Sequence, residues 1–370
     1  MAFQFHMPVT VVFEVDAIKR LNDLCRDNEV MLMTDNTLVK LGVADKVLEQ
    51  LKRFHVTVFS DIEPNPSEET VNKAAAVARE KKVGCVVALG GGSVMDAAKA
   101  VAALALNEGE LRDYLGGKKQ FANGALQLIC IPTTSGTGSE VTNVGVFCFD
   151  NGTLKTSIVC DEFWAETALI DPMMTISVPP KTTVSTGLDA LCHAIECYWS
   201  TAALPPSDGM AMAAVKKILD NLEIVYKDGS NVEARGEMAI ASVVAGMAFS
   251  QTRTTACHAI SYPLTTDYHV DHGTACALTL IPVLERVTPH LRTKMDDLAR
   301  YCGLKDADDL IAFIKQMCDN INAPLHLSPY GVKEEGIDEL VKNSFKAAII
   351  HNIPGDITEP ELAEMLRSIL

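Results

Sequence analysis

No stretch of this chain is apolar for long enough to cross a bilayer. The longest largely apolar run, MAIASVVAGMAF at 238–249, falls short of the ~20 residues a spanning helix needs and reads as a buried helix. A basic segment ahead of an apolar run is also missing at the N-terminus, so no secretory leader is expected. Basic residues are few: 32 Lys and Arg stand against 48 Asp and Glu, a formal net charge of −16. A phosphate backbone would be repelled at long range, which excludes nucleic acid as a partner but leaves room for a local cationic pocket. The 11 cysteines include no CxxC and no framework spacing. They sit in apolar segments such as GCVVAL and QLICI, as buried reduced thiols of a cytoplasmic protein would. GxGxxG is absent, which excludes the standard Rossmann arrangement, and no internal repeat or low-complexity run is present.

What the chain does have is length and a change of pattern. At 370 residues it exceeds what one core usually serves, so two domains are expected. Up to about residue 175, short apolar runs alternate with helical patterns. EVMLMTDN (29–36), VTVFS (56–60), GCVVALGGGS (84–93), LQLICIP (126–132) and TALIDP (167–172) read as strands. SEETVNKAAAVAREKK (67–82) and VMDAAKAVAALAL (94–106) read as helices, the first with Ser67 at its N-terminus. VGVFCFDNGTLKTSIVC (144–160) reads as a hairpin turning at Asp150–Gly152. Alternating strands and helices predict a doubly wound parallel sheet. After Val178-Pro179-Pro180 the strand signals vanish and helical periodicity takes over. The expected division is an α/β dinucleotide-binding domain at 1–178 and an all-α domain at 179–370.

Two glycine loops follow apolar strands. GGGS (90–93) sits between a buried strand and a helix, where backbone N–H groups and the helix dipole face an anion, and Gly90 to Gly92 allow close backbone approach. PTTSGTGSE (132–140) adds the hydroxyls of Thr133, Thr134, Ser135 and Thr137. Loops at consecutive strand ends would open on one crevice. Asp35, in TDN, is placed to accept bonds from ribose hydroxyls and to repel a 2′-phosphate; taken alone it reads more readily as a turn or cap residue.

A second constellation suits a metal. In GLDALCHAIE (187–196), Asp189 and His193 are four residues apart on one helix face, among apolar neighbours. A buried carboxylate and imidazole need a partner. His258 and His272, from HAISYPLTTDYHVDHG (258–273), could supply it. One carboxylate and three imidazoles suit Fe(II) or Zn(II) with a coordination position left open. Spacing alone does not say which of His258, His269 and His272 bind.

TDNTLVKLG, EPNPSEETV, GGGSVMDAAKA, PTTSGTGSEVT, GLDALCHAIE and HAISYPLTTDYHVDHG occur in this order, and together they closely resemble the iron-dependent (group III) alcohol dehydrogenase family. The resemblance runs from about Thr34 to Gly273. It implies an N-terminal dinucleotide-binding domain, an all-helical C-terminal domain, NAD(H) as cofactor and a divalent metal, Fe(II) or alternatively Zn(II). It implies metal-ligand roles for Asp189, His193, His258 and His272, and a preference for NAD set by Asp35. Gly91, Gly92, Ser93 and Asp96 match the pyrophosphate loop, and Thr133, Thr134 and Thr137 the second cofactor loop. Lys155 matches a lysine near the cofactor's phosphate and ribose, and Pro64, Asn65 and Pro66 a cofactor-side loop. The family also suggests a homodimer or higher homo-oligomer.

One departure stands out. Family members commonly carry a histidine, often given a proton-transfer role, where this chain has Tyr262. A phenol with an ordinary pKa of ~10 is a poor base at neutral pH. His269 falls in a segment variable in the family and is expected to be a bystander. Around His258 the chain places Arg253, Thr254 and Thr255, and a guanidinium with hydroxyls suits a sulfonate, phosphonate or carboxylate. SYPLT also looks like the family branch that reduces short anionic aldehydes such as sulfoacetaldehyde or phosphonoacetaldehyde. A metal-polarised carbonyl and hydride transfer to or from nicotinamide would then be the chemistry. The alternatives are a dehydrogenase of neutral short alcohols or diols or of 4-hydroxybutyrate, or a glycerol dehydrogenase-like enzyme. A metal-dependent hydrolase would use the same ligands without NAD.

Overall fold

The structure, a computed structural model, describes residues 3–370. It forms two compact units. The first comprises Met7–Thr134 and Gly138–Ser177; the second comprises Val178–Leu370 with Ser135–Thr137 and the residues up to His6.

The first unit is built on a six-stranded sheet in the order β1-β8-β5-β4-β2-β3. Its strands are β1 (Thr10–Phe13), β2 (Glu29–Met33), β3 (His55–Phe59), β4 (Cys85–Gly90), β5 (Gln127–Pro132) and β8 (Thr167–Ile170). All pairings are parallel. A strand covered on both faces has no polar side to show: all six residues of β4 are buried. The expected strands are present. β1 is additional; TVVF at the sheet edge, with both end residues exposed, carries too little alternation or burial to announce itself.

The winding reverses between β2 and β4, since β3 lies on one side of β2 while β4, β5 and β8 follow on the other. Ligand crevices in such sheets form at this reversal, beyond the carboxyl ends of the strands. Asp35 leaves β2 and the GGGS loop leaves β4, in register at Met33 and Ala88. Gly90 in turn pairs with Pro132 of β5, so the second glycine loop starts beside the first. The Gly92–Leu106 helix that follows is lined with buried alanines, which lets it lie close on the sheet. The hairpin β6 (Val144–Phe149) and β7 (Leu154–Val159) turns at Asp150–Gly152, as its sequence predicts.

The second unit is helical, with no strand among the described residues after Ile170. Its longer helices are Pro180–Trp199, Pro205–Lys227, Val232–Thr252, Ala256–Tyr268 and His272–Val287. Every residue from Gly187 to Trp199 is buried, so the first of these runs through the core rather than over it. Gly187 permits that, because a Cβ there would stand 2.4 Å from Leu222 Cδ1. No helix among the described residues is long and apolar enough to cross a membrane.

Candidate metal centre and cofactor loops

Asp189 and His193 lie one turn apart on the buried helix, as their spacing predicts. His258 comes from the Ala256–Tyr268 helix and His272 opens the next one. Asp189 Oδ1 stands 3.8 Å from His193 Nδ1, 3.6 Å from His258 Nε2 and 3.8 Å from His272 Nε2. These separations are too long for hydrogen bonds. They match donors that share one ion, because ligands each ~2.1 Å from a metal stand about 3–4 Å apart.

The buried polar atoms make the same point. Asp189 Oδ1, His193 Nδ1 and His258 Nε2 are buried without a hydrogen-bond partner, in residues only 2–5% exposed. Three orphaned donor atoms converging on one place would be a large desolvation cost without a cation between them. Burial pushes the His193 imidazole down to about 4, so it presents a neutral lone pair at neutral pH. Burial would raise the Asp189 carboxyl, but the three imidazoles outweigh it and hold the group well below the usual carboxylate range. The residues present therefore fit a divalent metal.

Glu196, on the same helix as Asp189 and His193, is fully buried and stands behind His258. Its Oε2 meets His258 Nδ1. Its Oε1 accepts from Thr255 Oγ1 at 2.6 Å and from the Cys257 backbone N–H at 2.7 Å. Trp199 Nε1 donates to the same Thr255 hydroxyl at 2.8 Å. A carboxylate on Nδ1 fixes the tautomer that turns the Nε2 lone pair towards Asp189. Its offset from Asp189 and His193 puts Glu196 on their helix face, but nothing in the spacing alone marks it as the partner of a histidine on another helix. Phe249 stacks on the His193 ring at 4.2 Å between centroids and fixes its plane.

Near the centre, Tyr262 lies one turn beyond His258, and burial pushes its phenol up, so it keeps its proton at neutral pH. His269 is exposed and caps the helix end in the left-handed region, φ 57°, pointing to a structural post. Arg253 follows the Val232–Thr252 helix with φ 62°, an uncommon conformation for a non-glycine residue. Its backbone N–H closes onto Phe249, the residue stacked on His193. Its Nη1 is buried without a hydrogen-bond partner, and burial lowers its pKa. Thr254 is buried. Thr255 both donates and accepts deep behind His258, so of Arg253 and Thr255 it is the arginine that holds unspent bonding capacity.

In the first unit, Gly91 caps the Gly92–Leu106 helix without a side-chain bond, leaving the first-turn N–H groups open to an anion. Thr134 packs over it, with Oγ1 3.3 Å from where a Cβ on Gly91 would be. Thr133 is buried and its N–H bonds Gly90 O. Ser93 Oγ accepts from Asn65 N–H at 3.1 Å, Asn65 holding φ 54°, and Pro66 O accepts from Cys148 N–H. Cys148 faces Lys155 across the hairpin. Thr137 falls with the helical unit. Asp35 caps the Asn36–Lys40 helix, its Oδ1 accepting from the N–H groups of Thr37 and Leu38. Cap and ribose acceptor are compatible, since a carboxylate has two oxygens.

Asp96 is a brace. Its Oδ1 accepts from Ser139 Oγ and its Oδ2 from Val146 N–H. Beside it Lys99, fully buried, donates to Ser139 Oγ, Thr142 Oγ1 and Val144 O at 2.6, 3.0 and 2.8 Å. The two residues tie the glycine-loop helix to the second loop and the hairpin. Lys99 was visible in DAAKA but carried no sequence signal of burial.

The family model for iron-containing alcohol dehydrogenases matches residues 8–172, and the C-terminal model of the same family matches 183–370. This chain belongs to the iron-containing alcohol dehydrogenase family. It is an oxidoreductase acting on CH–OH groups. Long-chain-alcohol dehydrogenase 1 of Geobacillus thermodenitrificans is 36% identical over 342 residues, 89% of this chain and 85% of that protein. The 1,3-propanediol dehydrogenase of Klebsiella pneumoniae is 32% identical over 99% of this chain and 98% of its own length. Among solved structures, sulfoacetaldehyde reductase from Bifidobacterium kashiwanohense, in complex with NAD+, superposes with a TM-score of 0.95 at 35% identity, covering 100% of this chain and 99% of that one. Relatives in the alcohol dehydrogenase family thus act on quite different alcohols, and family membership alone does not choose among them.

Proposed function

We propose that this chain is a metal-dependent, NAD(H)-linked aldehyde reductase and alcohol dehydrogenase for a short anionic aldehyde such as sulfoacetaldehyde or phosphonoacetaldehyde. The observation that carries the substrate class is Arg253. A guanidinium with a buried, unpartnered Nη1, held in a strained backbone one turn from the residue stacked on His193, is built to receive an anion from outside the protein. The likeness to a sulfoacetaldehyde reductase supports the same reading.

In this reading, residues 179–370 hold the metal through Asp189, His193, His258 and His272, and residues 1–178 hold NAD(H). When bound, the metal supplies Lewis acidity and the nicotinamide supplies or accepts the hydride. Glu196 keeps the His258 proton on Nδ1. Tyr262, protonated at neutral pH, donates a hydrogen bond to oxygen rather than serving as a base. Arg253 fixes the anionic end of the substrate and so orients its carbonyl. The N–H groups at Gly91–Ser93 receive the pyrophosphate, Asp35 accepts from the ribose hydroxyls, and Thr133, Thr134, Thr137, Asn65, Pro66 and Lys155 line the rest of the cofactor's path. Eleven free cysteines suit the reducing cytoplasm, and we expect a homodimer or larger homo-oligomer.

Steady-state kinetics with sulfoacetaldehyde, phosphonoacetaldehyde, succinic semialdehyde and neutral short aldehydes test the proposal. A higher kcat/KM for the anionic aldehydes, lost in Arg253→Gln while neutral aldehydes are unaffected, is the expected result. A preference for neutral aldehydes, diols or glycerol would overturn it.

A further inference from the structure

Residues 63–67 form a clasp between three parts of the first unit. Glu63, half-buried, folds back on the start of the Glu68–Glu80 helix. Its Oε1 accepts from Ser67 N–H at 2.8 Å, from Ser67 Oγ at 2.6 Å and from Thr70 Oγ1 at 2.9 Å, and its Oε2 stands 2.8 Å from the same Thr70 hydroxyl. Ser67 Oγ in turn accepts from Thr70 N–H as the helix cap. A carboxylate above a helix N-terminus is also favoured by the helix dipole. The two ends of the segment are thereby drawn together, and Asn65 is left at the tip with φ 54°, a conformation asparagine tolerates better than most residues. Pro64 and Pro66 have no N–H, so the backbone donor at the tip is that of Asn65, and it goes to Ser93 Oγ at 3.1 Å. Pro66 O accepts from Cys148 N–H at 3.0 Å, which ties the same segment to the hairpin strand that faces Lys155.

We infer that Glu63 is a positioning residue for the pyrophosphate of NAD(H), acting through Asn65 and Ser93. Ser93 stands in the first turn of the Gly92–Leu106 helix, where N–H groups and dipole favour an anion. With its oxygen accepting from Asn65 N–H, the Ser93 hydroxyl has its proton to give, and a charged phosphate oxygen is a strong acceptor for it. A serine held in this way donates without first giving up rotamer freedom. Glu63 makes its bonds to Ser67 and Thr70 and acts on the cofactor by keeping the segment closed, so that Asn65 stays within reach of Ser93. Without the carboxylate, one N–H and two hydroxyls lose a common acceptor, and Asn65 relaxes towards the negative φ that non-glycine residues prefer.

This inference rests on the cofactor reading proposed above, and the experiment separates the two. The readout is the dissociation constant of NADH, from the change in its fluorescence on binding to the full-length protein, with circular dichroism as the check on folding. Glu63→Ala should bind NADH about tenfold more weakly than the wild type, while kcat at saturating NADH should not fall. Glu63→Gln, which keeps the length and one accepting oxygen, should recover most of the loss. Ser93→Ala should also weaken binding, and adding it to Glu63→Ala should weaken it no further, because both changes remove the same donor. Equal dissociation constants in the wild type and Glu63→Ala, or losses that simply add in the double variant, overturn the role of Glu63 and leave the cofactor reading standing. A wild type that does not bind NADH overturns both. Should Glu63→Ala not fold, Thr70→Val removes only the far end of the clasp and is judged by the same criteria, with an expected loss of about threefold.

Discussion

Gly273 is pressed against the backbone of Ser185: a Cβ on it would stand 2.3 Å from the Ser185 carbonyl oxygen and 2.7 Å from its Oγ. Asp271 makes the second tie at this corner, bonding Ser185 Oγ and capping the His272 helix through Thr274 N–H. His272 lies between them, so its reach to Asp189 depends on a glycine. Gly273→Ala should lower stability by about 1–3 kcal/mol, the usual scale of overpacking, and should weaken metal retention as His272 is displaced. Denaturant midpoints and metal analysis of the purified variant check both.

Glu196→Gln keeps the volume and an acceptor for His258 Nδ1 but removes the charge. Metal affinity should fall about 10–100-fold, the range typical for the carboxylate behind a ligating histidine. Competition with a chromophoric chelator measures this without recourse to turnover. Unchanged affinity would mean that Glu196 is only a packing residue.

Asp35 is both a helix cap and the proposed ribose acceptor, and the two can be separated. Asp35→Ser retains a good N-cap while removing the charge that would oppose a 2′-phosphate. The ratio of kcat/KM with NADPH to that with NADH should rise about tenfold, equivalent to ~1.4 kcal/mol. Thermal stability should barely change, whereas Asp35→Ala should also lose about 1 kcal/mol from the missing cap. A cofactor ratio unmoved in both variants would remove Asp35 from the cofactor's recognition.

Glu140 gives a pH dependence. Burial pushes its carboxyl up to about 7 from an ordinary 4.5. Between these values the folded protein holds a proton that the unfolded chain has lost. Stability linked to Glu140 is therefore fully present below 4.5 and is lost as pH rises to about 7, on the order of 3 kcal/mol in all. Glu140→Gln should flatten that part of the profile. Urea unfolding of both proteins across the interval provides the comparison, and parallel profiles would sink the assignment.

The limits of the sequence follow from what spacing can express. A separation of four residues put Asp189 and His193 on one helix face, and the structure shows them together. It could not say which of three histidines would meet them; that is settled by where helix ends fall, with His269 left exposed as a cap and His272 turned inward at a helix start. Glu196 was hidden for a related reason. It sits in a helix that reads as apolar, and its importance comes from contact with another helix, through His258. The strands, glycine loops and hairpin were legible because their signals are local. The edge strand β1 was not, because its pairing with β8 is made more than 150 residues away in the chain.

Three buried donor atoms without partners at the centre of the helical unit have a consequence for the protein's lifetime. An ion bound only by the folded chain stabilises it in proportion to the logarithm of its concentration over Kd. The abundance of this enzyme would then follow the supply of metal: in a starved cell the helical core opens more often, proteases reach it, and an idle catalyst is cleared rather than stored.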